Sequence, residues 1–178
     1  MTERSSESPS MPRITLVLGG ARSGKSTHAE MLAGQYSERA VYVATAQARD
    51  PEMSERIARH RARRGITWQT IEAPLDIVEA LTDAPKGMSV LVDCLTLWLS
   101  NLMEAERDLA QEFSRLSDCL VTIAGPAILV ANEVGLGIVP DNQLARRFRD
   151  HAGTLNQAVA SCADQVLFVA AGLPMRLK

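Results

Sequence analysis

The stretch RITLVLGGARSGKS at residues 13–26 decides the fold. An apolar run leads into a glycine-rich turn, and a helix-prone segment follows it. Gly19 and the triplet Gly24-Lys25-Ser26 have the spacing of a phosphate-binding loop, in which four residues separate the first glycine from Gly-Lys-Ser/Thr. So short a pattern also occurs by chance, but here strand, loop and helix come in the order that the loop requires.

The predicted loop supplies the groups that bind a nucleoside triphosphate. Glycines let backbone N–H groups curve into a nest for phosphate oxygens, and the next helix adds unpaired N–H groups and the positive end of its dipole. Lys25 can reach the β- and γ-phosphates, and the Ser26 hydroxyl can ligate Mg²⁺. We expect the nucleotide to lie along the whole loop: Gly19, Gly20, Ala21, Arg22, Ser23, Gly24, Lys25 and Ser26.

Composition is typical of a globular protein. The 178 residues are 46% hydrophobic and 22% charged, with a formal net charge of -2. This charge predicts no general attraction to nucleic acid, so any basic site must be local. We expect a disordered polar tail over residues 1–12 and a single domain over residues 13–178.

The sequence also predicts a cytoplasmic protein without a membrane span. No apolar run approaches the ~20 residues that cross a bilayer. Cys94, Cys119 and Cys162 are odd in number, far apart and outside any paired motif. Reduced thiols fit this pattern better than disulfides or a zinc site.

Apolar runs recur along the chain and predict an α/β fold. Their unalternating character indicates burial on both faces, as in a parallel sheet, and helical patterns separate them. Helical spacing places Met31 and Leu144 on inner faces, and it favours core or subunit packing for Trp98 rather than stacking on a base. We therefore predict a P-loop nucleoside triphosphate hydrolase-like fold with a central, mostly parallel β-sheet flanked by helices. The predicted strands are 14–18, 40–44, 66–71, 89–93, 127–131 and 165–170.

Two strand ends should meet the phosphate loop, since ligands of open α/β sheets gather at the carboxyl ends of strands. The second strand ends at Ala44, and we expect Ala44, Thr45 and Ala46 to lie beside the nucleotide. Asp93 ends the strand at 89–93. In phosphate-loop proteins an acid in that place helps to hold Mg²⁺, although a strand-end aspartate is otherwise often a helix cap. We favour the metal role for Asp93, shared with Ser26.

A basic helix, predicted from Pro51 to Arg64, carries His60 at the margin of its thin apolar stripe. Surrounding arginines favour the neutral imidazole, which can act as a nucleophile, and they would attract a triphosphate. On spacing alone, a solvated basic helix with an incidental histidine is the favoured interpretation. Glu72, at the end of the next strand, is on its own an ordinary surface acid.

Several ordered segments together resemble the bifunctional adenosylcobinamide kinase / adenosylcobinamide-phosphate guanylyltransferase family of cobalamin biosynthesis. The phosphate loop is shared by many families, but the ordered set is specific. The resemblance covers the chain from about Arg13 onward. The matching segments are GGARSGKS at 19–26, YVATA at 42–46, Arg56-Ile57 leading to His60, DCLT at 93–96, and NEVG at 132–135 through IVP at 138–140, LAR at 144–146 and FRD at 148–150.

The resemblance implies two reactions and changes the interpretation of His60. The enzyme would phosphorylate adenosylcobinamide with ATP or GTP and then transfer GMP from GTP, through a guanylyl-histidine, to adenosylcobinamide phosphate. His60 is the nucleophile in this reading, because it is the only histidine on the helix after the second strand. The residues implied to lie along the guanine nucleotide are Arg61, Ala62, Arg63, Arg64 and Glu72. Relatives assemble as homotrimers, so a homo-oligomer is expected.

Three other functions remain open at this stage. A simple small-molecule kinase would use the loop and leave His60 structural. A GTP-dependent switch is disfavoured because no Asn-Lys-x-Asp guanine motif follows a strand. A nucleic-acid binder using the arginines of residues 56–64 would show strongly salt-dependent affinity, and the net charge argues mildly against it.

Overall fold

The computed structural model describes residues 11–48 and 51–178, without the side chains at positions 52, 53, 56, 59, 60 and 63. The predicted tail therefore lies outside the described residues except for Met11 and Pro12. Met11 is exposed.

In this part of the chain, seven strands form one sheet in the order β3-β2-β4-β5-β1-β6-β7. All neighbouring strands from β3 through β6 pair in parallel, and β7 is antiparallel to β6. The predicted α/β fold with a mostly parallel sheet is confirmed. The strands are β1 Ile14–Gly19, β2 Ala40–Ala44, β3 Trp68–Glu72, β4 Ser89–Asp93, β5 Ala127–Asn132, β6 Gln165–Ala170 and β7 Leu173–Arg176.

Helices cover both faces of the sheet, because successive strand side chains point to opposite sides. On one face, Val17 and Leu91 pack with buried residues of α1; on the other, Leu16 and Val90 pack with buried residues of α3 to α6. The helices are α1 Lys25–Tyr36, α2 Pro51–Arg63, α3 Ile77–Thr82, α4 Leu95–Glu104, α5 Leu109–Thr122 and α6 Gln143–Cys162.

The structure corrects several local predictions. Met31 is 49% exposed and Leu144 is 66% exposed, so both lie off the inner faces to which helical spacing assigned them, whereas Trp98 is fully buried as predicted. Strand β7 was not predicted. It follows a tight turn in which Ala171 and Gly172 both have positive φ, which is typical of a two-residue hairpin.

Asn101 on α4 holds two loops at the carboxyl edge of the sheet. Its side-chain amide donates to the backbone carbonyls of Thr45 (2.8 Å) and Pro74 (2.9 Å), which follow β2 and β3. Asn101 is only 9% exposed. Since buried carbonyls are costly without a donor, this one side chain holds two strand-end loops in place.

We expect Asn101→Ala to lower the free energy of unfolding by roughly 2 kcal/mol or more, because it leaves two carbonyls without their donor. Urea unfolding at an unchanged m-value measures the loss. Gln111→Ala, which removes an exposed amide from α5, is the matched control and should change stability by less than about 0.5 kcal/mol. Equal effects of the two substitutions would contradict the role assigned to Asn101.

Candidate nucleotide site at the carboxyl edge of the sheet

The turn after β1 has a shape that only glycine permits at two positions. A Cβ at Gly19 would lie 2.5 Å from both the Ser23 hydroxyl oxygen and the Val169 carbonyl oxygen. Gly24, which precedes α1, has φ of 95°, in the left-handed region. At Gly20, by contrast, a Cβ would meet nothing within 4 Å. The first and last glycines of the motif are therefore required by the backbone itself.

Two backbone carbonyls of this loop accept hydrogen bonds from neighbouring segments. The Glu133 amide donates to the Gly19 carbonyl (3.1 Å), and the Gly172 amide donates to the Ser23 carbonyl (2.8 Å). The amides of Gly24, Lys25 and Ser26 have no acceptor among residues 11–48 and 51–178. With two loop carbonyls paired elsewhere and these amides unpaired, the loop and the start of α1 have the arrangement of a phosphate-binding nest.

Lys25 is folded against its own loop. Its ammonium nitrogen donates to the Gly20 carbonyl at 3.0 Å, and the residue is only 8% exposed. Burial lowers the pKa of Lys25, and the nearby Cys94 and Asp93 oppose this shift. A phosphate entering the nest would offer this ammonium a charged acceptor in place of the neutral carbonyl.

Asp93 lies at the end of β4, two strands from β1, and its surroundings test the helix-cap alternative. The Tyr42 hydroxyl donates to Oδ2 of Asp93 at 3.1 Å. The N-cap of α4 is Cys94, which makes no side-chain capping bond. Asp93 is therefore not a helix cap, and its carboxylate lies at the sheet edge near Lys25.

The end of β2 connects the remaining predicted residues. Ala44 pairs in register with Asp93 on one side and Glu72 on the other. The Thr45 hydroxyl donates to the Cys94 carbonyl (2.8 Å) and accepts from the Cys94 amide (2.7 Å). Since Thr45 is fully buried, its side chain ties β2 to the segment after β4. Ala46, the next residue, is half-buried.

Two arginines attach the carboxyl end of α2 to the same edge. Arg61 forms an ion pair with Glu72, and both side chains are exposed. Arg64, one residue beyond α2, places its guanidinium carbon 3.3 Å from the centroid of the Tyr42 ring. Ala62 is exposed.

His60 lies on α2 one residue before Arg61. The side chains of His60 and Arg63 lie outside the described residues. The backbone nevertheless places His60 within the last turn of the helix that Arg61 and Arg64 anchor.

Sequence reasoning did not single out Tyr42 or Asn101 as parts of the site. Tyr42 occupies a buried strand position and Asn101 lies in an apolar helix. Both positions therefore look like ordinary core positions in the sequence. The only available signal was a polar atom on a buried position, which must find a hydrogen-bond partner.

Comparison with known proteins assigns the chain to a family. A family profile described as "Cobinamide kinase / cobinamide phosphate guanyltransferase" matches residues 15–177. The chain belongs to this family. It is 51% identical over 166 residues to the bifunctional adenosylcobalamin biosynthesis protein CobP of Pseudomonas aeruginosa, covering 92% of this chain and 96% of that protein. It is 38% identical over 181 residues to CobU of Salmonella typhimurium, covering 93% and 99% respectively. The family and enzyme class predicted from the sequence are confirmed.

Solved structures of distant proteins share the fold. The flagellar accessory protein FlaH of Methanocaldococcus jannaschii has a TM-score of 0.51 at 12% identity, covering 93% of this chain and 78% of that one. An ATPase of a bacterial type III secretion system has a TM-score of 0.51 at 15% identity, covering 92% and 56%. Within the described residues, no helix is both long and apolar enough to cross a bilayer.

In this family member, Gly19→Ala should weaken GTP and ATP binding at least about tenfold, which corresponds to ~1.4 kcal/mol. The new methyl group would collide with the Val169 carbonyl and force the loop to move. Isothermal titration calorimetry measures the affinities. Gly34→Ala on α1, outside the loop, is the matched control, because a Cβ there would meet nothing within 4 Å, and it should bind within about threefold of wild type. Tight binding by Gly19→Ala would show that the loop is not the nucleotide site.

Proposed function

We propose that this protein phosphorylates adenosylcobinamide with ATP or GTP and then transfers GMP from GTP to adenosylcobinamide phosphate through a guanylyl-histidine at His60. The products of the second reaction are adenosylcobinamide-GDP and pyrophosphate. The proposal assigns both reactions to one phosphate-binding edge.

The observation that carries this proposal is the anchoring of the carboxyl end of α2 at the sheet edge that also carries the phosphate loop. Arg64 stacks on Tyr42, whose hydroxyl donates to Asp93, and Asp93 lies in the electrostatic environment of Lys25. Two contacts and one electrostatic interaction, the latter between Asp93 and Lys25, thus connect the end of the helix of His60 with the lysine of the phosphate loop. A helix held in this way supports a role for its histidine in chemistry on the bound triphosphate.

For the kinase reaction, the loop positions the triphosphate and neutralises its charge. The amides of Gly24, Lys25 and Ser26 receive the phosphate oxygens, and the Lys25 ammonium lies on the β- and γ-phosphates. The aminopropanol hydroxyl of the corrinoid attacks the γ-phosphorus, and the nucleoside diphosphate leaves. Phosphoryl transfer depends mainly on such positioning and charge stabilisation.

The donor set at the edge fits Mg²⁺. Mg²⁺ binds oxygen ligands, usually one or two carboxylates together with substrate phosphates. Asp93 supplies a carboxylate that Tyr42 orients, and Ser26 supplies a hydroxyl on the first turn of α1. When bound there, the ion would neutralise charge on the phosphate oxygens.

For the guanylyl transfer, a neutral imidazole nitrogen of His60 attacks the α-phosphorus of GTP. A P–N bond forms, the bond from the α-phosphorus to the bridging oxygen breaks, and pyrophosphate leaves. A phosphate oxygen of adenosylcobinamide phosphate then attacks the same phosphorus and breaks the P–N bond. Two displacements through a covalent intermediate replace one difficult transfer.

The cationic end of α2 suits this transfer. Arg61 and Arg64 are anchored at the sheet edge, and Arg63 lies between them in sequence. Guanidinium groups form charge-assisted hydrogen bonds with phosphate oxygens, so we assign Arg61, Ala62, Arg63, Arg64 and Glu72 to the surroundings of the guanine nucleotide.

We place both reactions in the cytoplasm, where Cys94, Cys119 and Cys162 would remain reduced.

Incubation with GTP labelled at the α-phosphate should label the wild-type protein covalently, because GMP remains on His60 after pyrophosphate leaves. The label should be acid-labile, as a phosphoramidate is, and absent from His60→Ala. Denaturing electrophoresis after acid and alkali treatment measures it.

Two controls define this test. GTP labelled at the γ-phosphate should leave no label, and His151→Ala, which removes a histidine on α6, should label as wild type does. A kinase in which His60 is only structural predicts no covalent label in any variant, so an unlabelled wild-type protein would contradict the guanylyl-histidine proposal.

We further propose that the protein is a homotrimer that uses an apolar surface after β5. Four large apolar side chains there are 60 to 97% exposed. Neighbouring exposed apolar residues are typical of an interaction surface. The four residues are Leu136, Ile138, Val139 and Leu144.

Ile138→Asp should convert the trimer to a monomer, because a carboxylate would be desolvated in the interface. Size-exclusion chromatography with light scattering measures the mass. Ile66→Asp, at an exposed position outside this surface, should remain trimeric. A monomeric wild-type protein would refute the trimer, and a trimeric Ile138→Asp would refute the assigned surface.

A further inference from the structure

Tyr42 lies at a junction that core packing alone does not explain. It is 6% exposed on β2, and the edge of the Trp68 ring packs against it, with centroids 6.3 Å apart and an interplanar angle of 71°. Two separate functional groups of Tyr42 contact charged residues: the hydroxyl contacts Asp93, and the ring face contacts Arg64. Leucine or phenylalanine would fill the space but not make both contacts.

The hydroxyl orients the carboxylate proposed for the metal. It donates to Oδ2 of Asp93 at 3.1 Å. Burial raises the pKa of Tyr42, and the negative charge of Asp93 raises it further. The phenol is thus a hydrogen-bond donor to this carboxylate. A donor to a charged acceptor fixes the carboxylate more firmly than a neutral pair would.

The ring of Tyr42 packs against Arg64, the residue that follows α2. The guanidinium carbon of Arg64 is 3.3 Å from the ring centroid. Nε and Nη1 of Arg64 are buried and have no hydrogen-bond partner among the described residues. Stacking on the aromatic face is a contact of this cation that needs no hydrogen bond from either nitrogen.

We propose that Tyr42 is a positioning residue that links the two ends of the site, orienting Asp93 through its hydroxyl and seating Arg64, and with it the helix of His60, on its ring. This inference rests on the proposed function for the role of His60. It predicts that the two contacts can be separated by substitution. Tyr42→Phe removes only the hydroxyl, whereas Tyr42→Leu removes the hydroxyl and the ring.

The first test measures GDP affinity by calorimetry at a series of Mg²⁺ concentrations. Tyr42→Phe should need about five- to tenfold more Mg²⁺ for half-maximal tightening of GDP binding, because one hydrogen bond to a charged group is lost. Its GDP affinity in EDTA should equal that of wild type. An unchanged Mg²⁺ dependence in Tyr42→Phe would overturn the assignment of the hydroxyl.

The second test measures whether the ring acts through Arg64. Tyr42→Leu and Arg64→Gln should each weaken GDP binding in EDTA, and the double variant should be no weaker than the weaker single variant. Such non-additivity indicates that the residues act through one contact. Additive losses of GDP affinity would overturn the proposal that the Tyr42 ring acts through Arg64. Ile128→Ala, on the same face of the sheet, controls for loss of buried volume and should leave GDP affinity unchanged.

The third test concerns His60. At saturating GTP and Mg²⁺, Tyr42→Leu should acquire the α-phosphate label at most about one tenth as fast as Tyr42→Phe, which keeps the ring. Equal labelling rates in these two variants would overturn the coupling to His60. A wild-type protein that takes no label would instead refute the guanylyl-histidine proposal, and the two affinity tests would still decide the roles of the hydroxyl and the ring.

Discussion

The close approach of β1 to its own loop is the constraint on which the rest of the site depends. At Gly19 there is no room for a Cβ between the Ser23 hydroxyl and the Val169 carbonyl. This contact lets the chain turn sharply at the sheet edge, and amides from the segments after β5 and β6 then take up the loop carbonyls. The nest is thus built by three segments that are distant in sequence, and the unpredicted hairpin of β6 and β7 is one of its supports.

Parallel strand order brings the remaining chemical groups to the same edge. Asp93, Ala44 and Glu72 end three neighbouring strands at one register level. Tyr42, two residues before the end of β2, connects the acid of β4 with the arginine that follows α2. Under the proposed function, the same cradle would hold the phosphates in both reactions, while different groups would face the γ-phosphorus in the first and the α-phosphorus in the second.

The parts of this architecture that the sequence predicted are those with local signals. The Gly-rich turn has a fixed spacing, and buried parallel strands are continuous apolar runs, so the loop, the fold class and the position of Asp93 could be predicted. The role of Tyr42 could not, because a tyrosine in a buried strand looks like core until its neighbours across the sheet are known. Helical period also misplaced Met31 and Leu144, since period alone does not say where a helix leaves the sheet. His60 was assigned by resemblance rather than by spacing.

The central claim is that one phosphate cradle presents the α-phosphorus of GTP to His60. A crystal structure of the His60→Asn variant with GTP and Mg²⁺ tests it most directly. We expect the β- and γ-phosphates to lie on Lys25 and the loop amides, with the side chain of residue 60 facing the α-phosphorus opposite the pyrophosphate leaving group. A triphosphate bound in this loop with residue 60 directed away from it, in its own subunit and in every neighbouring one, would contradict the account.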